Sequence, residues 1–265
     1  MGFNIIIVIM QLFKWPHVFY IYLFILVAGV ILDLIIPQNL KNWIILNVYP
    51  FKRGNLINEI FAYHGNTIWN CLFASLLFTN IYIRTKEWDP LISDNNNTKV
   101  RCKYFPIFKS FTIKFVMKNV ILYIIFLFID RLFIFTGGSC KLNSVINPKI
   151  KNSEECRSLN GKWAGGFDIS GHFCFLINIS LILWIELDRL DIWLIYRSLD
   201  WKRIYTKNRL VQICHYMVYF VLYIWIFLLF TTSTFYHTWW EKFDGYILGH
   251  VCPLIMYFLI PTSTM

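Results

Sequence analysis

The sequence predicts an all-α polytopic membrane protein with six transmembrane helices and both termini in the cytosol. Three observations carry that prediction. The 265 residues are 57% hydrophobic but only 15% charged, against roughly 25% charge in ordinary soluble domains. The aromatic share is 19%, with 11 Trp and 15 Tyr, the residues that gather at headgroup level. Finally, apolar runs near the ~20 residues a bilayer crossing needs recur along the whole chain, so a single membrane domain over 1–265 is expected rather than two soluble ones.

The first span is expected at 18–36, closed by Pro37. The second, 67–83, follows the polar run Lys52-Arg53-Gly54-Asn55. Spans three to five are expected at 115–135, 169–187 and 211–230. The sixth, 246–260, is short, and Pro253 is expected to kink it. The earlier run Ile5–Phe13 is too short to cross and lacks a basic leader or a small-residue cleavage site, so it does not read as a signal peptide. An interfacial helix or an extension of the first segment fits it instead.

Loop charge sets the orientation. Arg84, Lys86, Lys99, Arg101, Lys103 and Lys109 fall between spans two and three. Arg189, Arg197, Lys202, Arg203, Lys207 and Arg209 fall between spans four and five. Both loops lie on one side by parity, and positive-inside counting makes that side cytosolic. The net charge of +10 therefore reads as cytosolic loop charge meeting membrane lipids, not as a nucleic-acid footprint. The glycosylation triplet Asn96-Asn97-Thr98 falls in the cytosol on this topology, so a glycan there would overturn the orientation. Across the membrane, the loop 136–167 carries Cys140 and Cys156. A disulfide closing it would stabilise the fold by about 3 kcal/mol in an oxidising compartment; two free thiols are the alternative.

The chemistry concentrates in two stretches. One is Gly165-Gly166-Phe167-Asp168-Ile169-Ser170-Gly171-His172 and the other is Thr231 to Gly245, with His237, Glu241 and Asp244. His172 opens span four and His237 follows span five, so an antiparallel hairpin places both at the same membrane face, the non-cytosolic one. Two such histidines fit three readings. Metal binding is one, although His237-x-x-x-Glu241 is the nearest approach to ligand spacing. Hydrogen-bonded structural histidines are another. The third is acid and nucleophile work on a phosphate ester.

The surroundings favour the third. The glycines allow backbone N–H groups to approach a ligand, and the following helix adds its positive end. Ser170 offers a hydroxyl and Asp168 an acid in the same stretch. Lys52 and Arg53, on the same face, would clamp phosphate oxygens or equally well touch lipid headgroups. Glu241, one turn after His237, would orient its imidazole. Charges in spans are costly and usually paired, so Asp33, Asp130 and Arg131 are expected to meet other spans. His250 is expected to pack rather than react.

The blocks Trp163-Ala164-Gly165-Gly166-Phe167-Asp168-Ile169-Ser170-Gly171-His172-Phe173 and Phe235-Tyr236-His237-Thr238-Trp239-Trp240-Glu241-Lys242 resemble the two signature blocks of the fat-storage-inducing transmembrane (FIT) family. The Lys52-Arg53-Gly54-Asn55 run and the six-span plan resemble it too. That resemblance implies an endoplasmic reticulum enzyme related to the lipid phosphate phosphatases, with its site facing the lumen and no cofactor. It implies His237 as nucleophile, His172 as acid for the leaving group, and fatty acyl-CoA as substrate. The products would be acyl 4′-phosphopantetheine and adenosine 3′,5′-bisphosphate, and the role lipid droplet formation and phospholipid homeostasis. The phosphatases' arginine six residues before the second histidine is replaced by Thr231, and their Lys/Arg-Pro block is missing. Both departures point away from phosphatidate as substrate. Two rival functions remain open: a non-enzymatic binder of diacylglycerol or triacylglycerol that organises droplet budding, and, more weakly, a transporter.

Overall fold

The computed structural model describes residues 16–52, 54–86, 97–142, 145–196 and 209–260. The run Ile5–Phe13, the residue Arg53 and the residue Asn96 lie outside them. Helix α1 is Pro16–Ile35 and α2 is Gln38–Asn47. A 3-10 turn at Tyr49–Phe51 and a widened turn at Glu59–Tyr63 lead into α3, Gly65–Lys86. Helix α4 is Asn97–Phe135. Strands β1 (Ser139–Leu142), β2 (Val145–Asn147) and β3 (Lys162–Ala164) follow, with α5 (Ser153–Ser158) between the last two. Helices α6 (Gly171–Tyr196), α7 (Arg209–Phe235) and α8 (Trp239–Leu259) complete the order.

Three helices are long and apolar enough to cross a membrane among the described residues: 18–35 in α1, 105–135 in α4 and α7. The all-α expectation needs one correction, because the loop after α4 holds a small antiparallel sheet in the order β2-β1-β3. Helix ends also run further than expected. α4 begins before Pro106 and takes in much of the first basic loop, while α6 continues to Tyr196 and takes in Arg189.

Helix α6 is the centre of the bundle. Leu176, Ile177, Ile179, Leu181, Ile182 and Leu183 are all fully buried in it, on every side of the helix, as expected of a helix enclosed by others. Around it the outer helices leave large apolar side chains exposed: Phe24 and Leu34 on α1, Tyr123 on α4, Tyr216 and Tyr223 on α7. Apolar surface on that scale needs an apolar solvent.

Small residues set the tightest helix crossings. A Cβ on Gly29 of α1 would lie 2.0 Å from Ser233 Oγ of α7, and that hydroxyl donates to Ile25 O at 3.1 Å. On α8, Gly245 and Gly249 form a Gly-x-x-x-Gly stripe laid directly on α6.

One buried charge pair joins α4 to α6 inside the bundle. Lys114 Nζ lies 2.7 Å from Glu186 Oε1, with both side chains 4% exposed, and Tyr257 donates to the same oxygen at 2.6 Å. Glu186→Ala would strand the Lys114 ammonium in the interior, so a loss of about 3–5 kcal/mol is expected, read as a lowered unfolding midpoint in detergent. Apolar replacement of both Glu186 and Lys114 should recover most of that loss.

Candidate active site

One end of the bundle gathers the end of α1, the end of α4, the start of α6, the α7–α8 turn and the 49–64 segment. The loop between α4 and α6 is pinned first. Cys140 and Cys156 are disulfide-bonded, with a Cα separation of 5.7 Å, so the disulfide alternative holds rather than the free thiols. Ser153 N donates to Asp130 Oδ1 at 3.3 Å, which gives the intramembrane acid a partner in the loop instead of another span. Trp163 stacks on Phe133 with centroids 4.4 Å apart.

The glycine pair packs against the end of α4. Gly165 has φ +103, and a Cβ on it would lie 3.4 Å from Gly137 O, while a Cβ on Gly166 would lie 2.2 Å from Phe133 O. Both glycines are needed to lay this loop on the end of α4, so their smallness is explained without a ligand. Gly171, by contrast, has only one neighbour near an added Cβ, Phe126 Cε1 at 3.5 Å.

Beyond the glycines the loop meets α8. Glu241 is the link. Its Oε2 accepts the Thr238 N–H at 2.7 Å, part of a capping box that starts α8. Its Oε1 accepts the Asp168 N–H at 3.1 Å, and its backbone O accepts the Ser170 N–H at 3.0 Å. Parity put these two stretches at one membrane face; the two hydrogen bonds from Asp168 and Ser170 show them in contact. Ser170 is fully buried, and its Oγ takes the Phe173 N–H at 3.5 Å.

His237 sits in the turn between α7 and α8 with φ 61, in the left-handed region. For a residue with a side chain this conformation costs about 1–2 kcal/mol. Its Nδ1 lies 3.7 Å from Glu241 Oε2 and 3.9 Å from Asp168 Oδ2. Both carboxylates thus lie on the Nδ1 side of the ring. Only 20% of the His237 side chain is exposed. His172, the second residue of α6, is half-buried two residues beyond the Ser170–Glu241 bond.

Burial pushes the Glu241 carboxyl pKa up, but contact with His237 and the N–H groups of Thr238 and Asp168 outweigh it and hold the value at about 2. A depressed folded-state pKa gives stability that is present above the unfolded value and is lost on acidification. The Glu241 contribution should therefore fade as pH falls from about 4.5 towards 2. Glu241→Gln should flatten that part of a stability-against-pH curve.

Lys52 is exposed at the end of the 3-10 turn. Tyr236, the neighbour of His237, donates its hydroxyl to Phe51 O, and Phe51 packs on Phe235 with centroids 4.9 Å apart. The first loop is thereby held beside the α7–α8 turn. His250 is buried, with Nδ1 2.7 Å from Tyr246 O and its ring stacked on Phe19; it packs as expected, but its Nε2 is buried with no hydrogen-bond partner among the described residues.

Sequence reasoning missed one cluster. Lys242, fully buried, donates to Asp33 Oδ2 at 3.0 Å, and Lys41 binds the other carboxylate oxygen of Asp33. The signal was present: an acid in an apolar run requires a cation nearby, and Lys242 directly follows Glu241.

Residues 46–257 match the family described as fat storage-inducing transmembrane protein. The chain belongs to that family. It is 36% identical over 270 residues, covering 96% of each chain, to acyl-coenzyme A diphosphatase YFT2 of Saccharomyces cerevisiae. Acyl-coenzyme A diphosphatase fit1 of Schizosaccharomyces pombe is 34% identical over 126 residues, 46% of this chain and 44% of that one. Acyl-coenzyme A diphosphatase FITM2 of Xenopus tropicalis is 27% identical over 212 residues, 79% of this chain and 71% of that one. No solved structure matches. Within the family match lie His172, His237, Asp168 and Glu241, so the contacts described above belong to the shared segment.

Proposed function

We propose that this chain is an acyl-CoA diphosphatase. The observation that carries the reading is the end-to-end similarity to a protein of that name, combined with a histidine braced by two carboxylates at the face where the two blocks meet. His237 Nε2 attacks one phosphorus of the substrate diphosphate. A P–N bond forms, the P–O bond of the anhydride breaks, and the bridging oxygen leaves on the second phosphate with a proton from His172. Water then attacks the phosphohistidine, the P–N bond breaks, and a second phosphate monoester is released. One water is consumed per turnover and the thioester is untouched.

Asp168 and Glu241 hold the His237 ring and favour the positive charge that develops on it. Ser170 and Gly171 set the start of α6, whose N–H groups face the same region as His172. Lys52 and Arg53 supply cations for the diphosphate. All six helices that approach or exceed membrane length cross the bilayer in this reading: α3, α6 and α8 have 22, 26 and 21 residues, or about 32–39 Å at ~1.5 Å per residue. Their polar residues are tolerated because the outer helices enclose them. Both termini are cytosolic and the site faces the endoplasmic reticulum lumen. The Cys140–Cys156 disulfide supports an oxidising compartment on that side. Activity there supports lipid droplet formation and phospholipid homeostasis.

The test is product analysis with purified protein and long-chain acyl-CoA, in the presence of a chelator. Equal amounts of acyl 4′-phosphopantetheine and adenosine 3′,5′-bisphosphate are expected. Release of free CoA instead would overturn the proposal in favour of thioester cleavage.

A further inference from the structure

We infer that Asp33, Lys41 and Lys242 are positioning residues for the candidate site, fixing the rotation of the first turn of α8 so that Glu241 stays against His237. The inference rests on the reading of His237 as the reacting group. Lys242 is the residue after Glu241, about 100° further round the helix, so the two side chains of one turn face different elements. Glu241 faces the Asp168 N–H and the His237 ring. Lys242 faces α1, where its Nζ meets Asp33 Oδ2 at 3.0 Å. The turn is therefore gripped from two directions.

The grip is well anchored. Asp33 uses both carboxylate oxygens, one for Lys242 and one for Lys41. Lys41 also bonds the backbone O of Asp33, which locks α2 against the end of α1. The cluster thus joins α1, α2 and α8 at a single carboxylate. Lys242 has no exposed surface and Lys41 only 8%. Burying ammonium groups is costly, and apolar residues of similar shape often stabilise a fold as well or better. A buried ionic cluster directly behind a reacting turn is explained by the geometry it enforces. Ammonium hydrogen bonds are directional, whereas apolar packing would let the turn rotate. None of the three groups has to reach substrate for this, so the expected kinetic signature is a loss in kcat with little change in KM.

Lys242→Met is the main test. It removes the grip on α8 yet leaves Asp33 paired with Lys41, so the interior stays charge-balanced. A fall in kcat of about 10–100-fold is expected, as for displacement of a catalytic group by a fraction of an ångström to 1 Å, with KM within about twofold of wild type. Lys242→Arg keeps a cation opposite Asp33 and should recover at least part of the turnover. The triple variant Asp33→Asn/Lys41→Met/Lys242→Met removes every charge of the cluster together, so it should melt closer to wild type than a variant that strands one charge, yet stay slow; if the cluster matters only for stability, turnover returns along with the melting point. Wild-type kcat in folded Lys242→Met would overturn the inference, and so would a raised KM with unchanged kcat. Should Lys242→Met fail to fold, the Arg and triple variants decide by the same criteria. Full activity in His237→Ala would instead remove the reading beneath, whatever the Lys242 variants do.

Discussion

Replacing His237 by glycine is expected to abolish acyl-CoA hydrolysis while leaving the protein at least as stable as the alanine variant. Two independent consequences of one backbone geometry lead there. At φ 61, His237 occupies the position at which a chain leaving a helix most often places glycine. Any residue with a Cβ resists this conformation by about 1–2 kcal/mol, and glycine does not. Alanine keeps the resistance and loses the imidazole contacts as well. Glycine loses the contacts, worth at most about 1 kcal/mol for partly exposed pairs, and relieves the resistance. The glycine variant should therefore unfold about 1 kcal/mol later than the alanine one, and close to wild type. Its turnover should fall to about 10⁻³ of wild type or lower, as for loss of a nucleophile. Thermal unfolding in detergent and single-turnover product release check both halves. Surviving turnover would show that His237 is not the reacting group. A glycine variant less stable than alanine would show that the turn is not held in the left-handed region. An imidazole retained where glycine would be easier for the backbone is what selection for chemistry predicts.

Much of this was legible beforehand because membrane topology constrains it. Parity alone put His172 and His237 at one face, and the Ser170–Glu241 and Asp168–Glu241 bonds bring their flanking residues together. The family also followed from the two blocks. Gly165 and Gly166 look the same in sequence whether they approach a phosphate or the carbonyl of Phe133, and the structure places Gly166 against that carbonyl. Which object stands opposite a missing Cβ is a tertiary fact. The same holds for Asp33. Its charge announced a partner, but the partner lies 209 residues away on Lys242, and no local pattern links them. Helices α6 and α8 carry charged residues such as Glu186 and Lys242, which weaken their hydropathy signal and are paired inside the bundle.

The Gly245 and Gly249 pair turns the crossing of α8 on α6 into a second decisive experiment. Both glycines touch α6, but they touch different things. A Cβ on Gly249 would meet Ile177 Cβ at 2.8 Å and Cys174 O at 3.1 Å, one to two turns into the helix. A Cβ on Gly245 would meet Ser170 O at 2.7 Å and Phe173 Cβ at 2.9 Å. Gly245→Ala and Gly249→Ala should therefore carry similar stability costs, about 1–3 kcal/mol each, as expected when one carbon is forced into a packed interface. Their effects on turnover should differ sharply. Relief at Gly245 requires Ser170 to move away from α8, and Ser170 is the residue whose N–H bonds Glu241 O and which lies two positions before His172. A displacement of that size between catalytic groups costs on the order of 10²-fold in rate. Relief at Gly249 opens the helices further from the His172 end and leaves the Ser170–Glu241 bond in place, so kcat should stay within a fewfold of wild type. Equal rate losses in the two variants, at equal stability, would mean that turnover follows general packing of the bundle rather than the approach of His172 to His237. A loss confined to Gly245→Ala would place the reaction at the contact between the two blocks.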